Sequence, residues 1–317
     1  MSADLLERVR AGGLLSPGRP VVVLLSGGRD SVCLLDLAVR IAGAPAVAAL
    51  HCDYGLRPES GEDAAFCAEL CERLGVPLDV RRPRRPAGAG NLQAWARDAR
   101  YAAAAELADG GDVAAGHTAS DQVETVLYRL AASPGRRALL GMAAREGALV
   151  RPLLEVTRAE TAAHCEARGL PWREDASNAS PGFARNRLRA GLLPALRELH
   201  PAAEANVLRT LALLRDEAAV LDAAVATALH RAGDPPAAAI LAGLPPALAR
   251  LAVQALADRA AGGLAPAVGH RTAEVLALGE GGALDVGGGL RAAVRGGALR
   301  FVPSTGPAAP HPPRAGT

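Results

Sequence analysis

The sequence predicts an α/β fold: a doubly wound, mostly parallel sheet followed by a smaller helical and β C-terminal region. Three observations lead there. From Val21 to about Leu170, β runs alternate with helical patterns. Those runs are mostly continuously apolar, as expected of strands covered on both faces. After Pro201 the alternation gives way to long helical stretches and a β cluster separated by glycines. A chain of 317 residues, 50% of them apolar, can build two cores without disulfides. The expected division is an α/β domain over 1–200, a helical linker with a small β region over 201–303, and a disordered Pro/Gly/Ala-rich tail over 304–317.

In order, "PVVVLLS" reads as a strand followed by a helix over Ser31–Ile41, and "AVAALHC" by a helix over Ser60–Leu74. "VPLDV" precedes a helix over Asn91–Leu107, "DVAAG" one over Asp121–Leu130, and "ALVRPLL" one over Thr157–Arg168. Ser60 with Asp63, and Thr157 with Glu160, have capping-box spacing. Beyond Pro201, Val207, Leu211, Leu214, Ala218, Leu221 and Val225 recur at steps of four and three, one face of a single long helix. "PPALARLAVQALADRAAG" reads as another helix, and "GGALDVGGGLRAAVRGGALRFVP" as short β runs of a hairpin element.

All 35 basic residues are arginine. Without lysine there is no Walker-type phosphate lysine, no Schiff base and no lysyl-AMP nucleophile. A net charge of +2 is compatible with a local basic face, and arginines cluster at 81–85, 136–137 and 185–189. Five cysteines form no CxxC pair, and no apolar run reaches membrane-spanning length. The expectation is a soluble, cytoplasmic protein with no membrane partner.

The stretch "SGGRDS", Ser26-Gly27-Gly28-Arg29-Asp30-Ser31, joins the first strand to its helix. Its glycines let backbone N–H groups approach phosphate oxygens, the helix adds its positive end, and both serines can donate. Asp30 would repel phosphate unless Mg²⁺ stood between them, so it points to a metal-bound triphosphate. Such a loop holds the outer phosphates and leaves the α phosphorus open to attack, which suits adenylation with loss of pyrophosphate. The stretch resembles the "SGGxDS" loop of the N-type ATP pyrophosphatases, with Arg29 at the variable position.

Further stretches narrow the resemblance. "HCDYGLRPES", "GHTASDQVET", "GRRALLGM", "RPLLEVTRAE" and "REDASNASPGFARNRLR" occur in this order. They are similar to segments of the tRNA(Ile)-lysidine synthetases, over about Pro20–Pro201. The resemblance implies an adenine nucleotide alpha hydrolase-like, Rossmann-type fold. It also implies ligation of free lysine, with ATP and Mg²⁺, to C2 of the wobble cytidine of tRNA(Ile) bearing a CAU anticodon. The route is an adenylated tRNA; AMP and pyrophosphate are released, and decoding changes from AUG to AUA.

Ser26, Gly27, Gly28, Arg29, Asp30, Ser31 and Asp53 are then the ATP-binding residues, with Asp30 toward Mg²⁺. Asp121 and Glu124, three apart at a helix start, match the acidic pair that handles lysine, with Arg100 and Arg185 as further catalytic residues. Arg97, Arg187 and Arg189 are assigned to tRNA. As helix-face residues, Arg97 and Arg100 fit solvent as well as phosphate; only the match to the family's "AR..RY" favours the latter. Oligomeric state is left open, a homodimer included.

Tyr54 and Thr118 stand where the family has histidine, and Ser120 replaces the first of two aspartates. A tRNA cytidine thiolase of the same superfamily would require CxxC pairs. A nucleotide sensor without chemistry would not need Asp121, Glu124 and the 185–189 run.

Overall fold

The computed structural model describes residues 2–55, 60–86, 90–132, 136–173 and 184–304, and contains two compact units, Met1–Leu211 and Ala212–Thr317. In the first, strands β1 (Val21–Leu24), β2 (Val47–Cys52), β3 (Leu78–Arg81), β4 (Asp112–Ala114), β5 (Arg145–Glu146) and β6 (Leu149–Val150) form one sheet in the order β3-β2-β1-β4-β6-β5. All neighbours pair in parallel except the edge pair β5–β6. The expected doubly wound sheet is therefore present, with an antiparallel edge added. Strand β1 is central and buried along its whole length, as its four consecutive apolar residues require.

The helices are α1 (Ser2–Ala11), α2 (Arg29–Ala42), α3 (Ser60–Leu74), α4 (Leu92–Ala108), α5 (Ala119–Ala132), α6 (Arg136–Leu139) and α7 (Arg158–Ala167). Helix α2 presents Val32, Cys33, Leu34, Leu35 and Leu37 to the main core with no exposure. Helix α1 was not foreseen, although Leu5, Leu6 and Val9, at helical spacing, are buried in the same core. The capping box expected at Thr157 is complete: Glu160 N–H donates to Thr157 Oγ1 and Thr157 N–H to Glu160 Oε2. Asn91 is the cap of α4 rather than its first residue, accepting from Gln93 and Ala94 N–H. A last helical segment runs from α8 (Ala184–Arg187) through one π turn at Leu188–Leu192 into α9 (Leu193–Leu199).

The stretch after Pro201 forms α10 (Ala203–Ala232), and the six apolar residues of its expected face are all buried or half-buried while Leu213 and Val220 are exposed. In the second unit, α11 (Ala238–Ala242), α12 (Pro246–Ala261) and α13 (Thr272–Leu276) accompany an antiparallel sheet of β7 (Ala283–Gly287), β8 (Leu290–Arg295) and β9 (Ala298–Pro303). Its core holds Leu241, Val253, Val268, Val286 and Val294. The expected hairpin thus has a third strand. Residues 304–317, expected to be a tail, lie outside the described residues except Ser304. No described helix is long and apolar enough to cross a membrane.

Candidate active site

A cleft of about 590 Å³ opens at the carboxyl edge of β1 and β4, where ligands bind in doubly wound sheets. Ser26, Gly28, Arg29, Asp30 and Ser31 line one side of it. Gly27 takes φ +83°, and a Cβ there would stand 3.3 Å from the Phe66 ring, so this position needs glycine. Gly28, extended at φ −75° and ψ 156°, caps α2 and aims the first helical N–H groups into the cleft. The two serines brace the turn: Ser26 N–H donates to Ser31 Oγ (3.2 Å), Ser31 Oγ donates to the Gly28 carbonyl (2.8 Å), and the hydroxyls lie 3.1 Å apart.

Two neighbours hold the loop in place. Arg173 N–H donates to the Gly27 carbonyl at 3.0 Å, while its guanidinium pairs with Asp63 and Glu62 of α3. Gly116, just after β4, lies so near that a Cβ would be 3.1 Å from the Asp30 carbonyl oxygen. Asp30 Oδ1 accepts from Thr161 Oγ1 of α7 (2.6 Å) and from Arg29 Nε (3.3 Å). Its other oxygen faces Arg158 Nε at 3.9 Å, beyond hydrogen-bonding distance.

The opposite wall carries the acidic pair. Asp121 Oδ2 accepts from both the backbone N–H (2.8 Å) and the hydroxyl (3.0 Å) of Thr118, so the threonine in the family's histidine position orients this carboxylate. Arg189, on the π turn, donates to Asp121 Oδ1 (3.1 Å) and Glu124 Oε1 (2.5 Å), tying the two acids together. A π turn redirects side chains relative to an α-helix and recurs at functional sites. Glu124 is fully buried, and its Oε2 has no hydrogen-bond partner among the described residues.

The pair titrates asymmetrically. Burial pushes the Asp121 carboxyl up, but the Thr118 N–H and the charges of Arg158, His117 and Arg189 outweigh it and hold it below the ordinary range. Burial also pushes Glu124 up, and there Arg189 offsets it only in part, so its carboxyl stays above the ordinary range. The two carboxyls are thus displaced in opposite directions, Asp121 downward at the cleft wall and Glu124 upward behind it.

The remaining expected residues divide. Arg100 lines the cleft beside Tyr101. Arg97 is exposed, its guanidinium 4.9 Å from the Tyr101 ring centroid, and Arg187 is exposed at the end of α8. Asp53, just beyond β2, is not among the residues that line the cleft, and its oxygens accept from Gly55 N–H (2.9 Å) and Arg82 Nε (3.2 Å). The Arg185 side chain, and the motif segments at 56–59 and 174–183, lie outside the described residues. Arg189, assigned to tRNA from the sequence, sits against the two acids. Tyr54 donates to the Ala96 carbonyl at 2.8 Å and meets Trp95 edge-on, anchoring α4. Ser120 is half-buried on α5. Arg158, Thr161 and His117 were not singled out as site residues, although His117 lies in the "GHTASDQVET" stretch and Arg158 closes "RPLLEVTR"; nothing in the sequence marked Thr161.

A model of the PP-loop domain matches residues 4–196. A tRNA(Ile)-lysidine synthase of Salinispora tropica is 41% identical over 309 residues, which cover 91% of this chain and 92% of that protein. The chain belongs to the tRNA(Ile)-lysidine synthase family of PP-loop proteins. A lysidine synthase of Pseudomonas fluorescens is 42% identical over 208 residues, which are 63% of this chain but 47% of that relative. The match thus spans about half the length of several longer synthases. Among solved structures, the U34-tRNA thiolase of Methanococcus maripaludis matches with a TM-score of 0.54 at 18% identity, over 67% of this chain and 78% of that one, a likeness of fold.

Proposed function

We propose that the chain ligates free lysine to C2 of the wobble cytidine of tRNA(Ile) bearing a CAU anticodon, in two steps driven by ATP. The observation that carries this reading is that the glycine loop and the Asp121–Arg189–Glu124 cluster line or back one cleft. A nucleotide held by the loop therefore ends beside groups suited to a cationic amine. In the first step the cytidine O2 attacks the α phosphorus, an O–P bond forms, and pyrophosphate leaves with the electron pair of the broken P–O bond. In the second, the lysine amine attacks C2, loses its proton, and AMP departs with the former O2. The product decodes AUA instead of AUG.

Loop N–H groups and the two serine hydroxyls hold the outer phosphates. Asp30 suits Mg²⁺, which ordinarily takes one or two carboxylates together with substrate phosphates. Its Oδ2 accepts no hydrogen bond from the described residues, and no described group of three or more acids, histidines or cysteines would hold a metal without the nucleotide. When bound, that ion would neutralise the departing pyrophosphate.

Asp121, ionised at the wall, receives the lysine ammonium, and Glu124 with its raised affinity for a proton accepts it. Arg97, Arg187 and the unit beyond Leu211 take the tRNA backbone through charge and shape. The whole operates in the cytoplasm, where tRNA is available.

The deciding assay combines ATP, labelled lysine and a tRNA(Ile) transcript with a CAU anticodon. Equal amounts of AMP and lysine-labelled tRNA support the reading; neither product, with a folded protein, defeats it. In the same assay Glu124→Ala is expected to slow the lysine-dependent step by about 10²-fold, at least as much as adenylation, since a general base contributes roughly 10²–10⁴. A change in ATP affinity alone would remove Glu124 from the chemistry.

A further inference from the structure

Between the nucleotide loop and the acidic pair lies one guanidinium that the motif reading left without a task. Arg158, the first residue of α7, places Nε 3.9 Å from Asp30 Oδ2, and Nη2 3.6 Å from Asp121 Oδ1 and 3.9 Å from Glu124 Oε1. Three carboxylates from two elements thus surround it, yet none is within hydrogen-bonding distance. Its Nε is buried and has no hydrogen-bond partner among the described residues, although the side chain lines the cleft and is 36% exposed.

Of the other arginines lining the cleft, Arg173 pairs with Asp63 and Glu62 and Arg100 lies against the Tyr101 ring, while the two closest to the carboxylates are committed. Arg189 bonds Glu124 and Asp121, and Arg29 Nε bonds Asp30 and Thr161 on the loop side. Arg158 is held in place by charge while its planar fork of donors remains to be used.

Given the proposed two-step ligation, on which this inference rests, the reacting phosphorus must lie between the groups that hold the outer phosphates and those that receive the amine. Arg158 occupies that interval. We propose that Arg158 is a catalytic residue that donates to the α-phosphoryl oxygens, stabilising the charge that builds on them as pyrophosphate leaves and again as AMP leaves. A guanidinium suits this because two parallel N–H donors match two phosphoryl oxygens. Its flanking carboxylates keep it from binding the ground-state triphosphate too strongly, so its effect falls on rate more than on affinity.

The test measures single-turnover adenylation of the tRNA, equilibrium binding of α,β-methylene-ATP, the KM for lysine, and thermal unfolding, in wild type, Arg158→Gln and Arg158→Lys. Loss of one such donor is expected to slow adenylation by about 10²–10³-fold in Arg158→Gln. Analogue affinity and lysine KM should stay within about threefold, because the group acts in the transition state. Arg158→Lys should recover about tenfold through its point charge, the planar fork being lost.

Adenylation near the wild-type rate in Arg158→Gln overturns the proposal, as does a loss confined to analogue affinity or to lysine KM. If Arg158→Gln unfolds early, Arg158→Lys decides: a folded variant with full adenylation overturns the assignment, and a partial rate supports it. Should the wild type adenylate a different acceptor, the lysidine reading fails, while loss of pyrophosphate release in Arg158→Gln would still uphold the role of Arg158.

Discussion

Asp30→Ala is expected to abolish AMP and pyrophosphate formation, a loss of about 10³-fold or more, while the protein remains folded. The side chain sits in the first turn of α2, where any carboxylate is mildly favoured by the helix dipole. If that were its only service, the variant would lose about 0.3–1 kcal/mol of stability and keep its activity. The geometry argues otherwise. Thr161 and Arg29 fix Oδ1, and Oδ2 is left facing the cleft between the loop and Arg158. A triphosphate in this loop would meet that carboxylate as a like charge, and only a cation between them makes the position tolerable. Pyrophosphate release measured at increasing Mg²⁺ should not rescue Asp30→Ala, because the missing group is the ligand itself. Near-normal turnover with unchanged melting would reduce Asp30 to a helix-end acid and unseat the metal–triphosphate arrangement.

Much of this site could be read before the fold was seen, for a reason visible in the loop itself. Residues 21–42 couple an apolar run, two glycines and a helical pattern, so every local preference there agrees. Even so, α2 begins at Arg29 rather than Ser31. Serine is a favoured cap, but Gly28 takes the extended cap conformation and the Ser31 hydroxyl turns back to the Gly28 carbonyl. The capping box at Thr157 was legible because it is a contact between residues three apart. Strand β6 falls within the expected β run "ALVRPLL", but β5, only Arg145–Glu146, carries too little periodicity to register.

Convergence across long separations was the part hidden from the sequence. Asp30 meets Thr161 and Arg158 because α7 packs on α2, and Arg189 meets Asp121 and Glu124 from the π turn that follows α8. The motifs pointed to residue types and order. Which arginine would face which carboxylate depended on packing between elements more than a hundred positions apart in chain order for Asp30, and more than sixty for Arg189.

The second large effect lies at the other end of the same strand. Asp112, first residue of β4 and nearly inaccessible, receives two hydrogen bonds from Arg19 (2.6 and 3.2 Å) and two from Arg145 (2.7 and 3.1 Å). One carboxylate so binds the approach to β1 and the edge strand β5 to the middle of the sheet. Removing one partner of a buried ion pair costs about 3–5 kcal/mol. Both arginines are substantially exposed and can rehydrate, so Asp112→Ala is expected to cost about 2–3 kcal/mol, lowering Tm by about 5–10 °C.

The pH dependence has a definite sign. Burial pushes the Asp112 carboxyl up, but the guanidiniums of Arg145 and Arg19 outweigh it and hold the folded value below the ordinary 3.8. A carboxylate depressed in the folded state adds stability that is complete above its unfolded value and disappears as pH falls through the folded one. Wild type and Asp112→Ala should therefore differ most at neutral pH and converge under acid, as thermal melts between pH 7 and pH 2 would record. A constant difference across that range would mean that Asp112 acts through packing rather than charge. Because the proposed chemistry lies beyond the carboxyl end of β4, around Gly116, Thr118 and Asp121, the variant assayed below its lowered Tm should keep the wild-type rate. On this reading the strand separates its duties by end, register at Asp112 and the proposed reaction beyond Ala114.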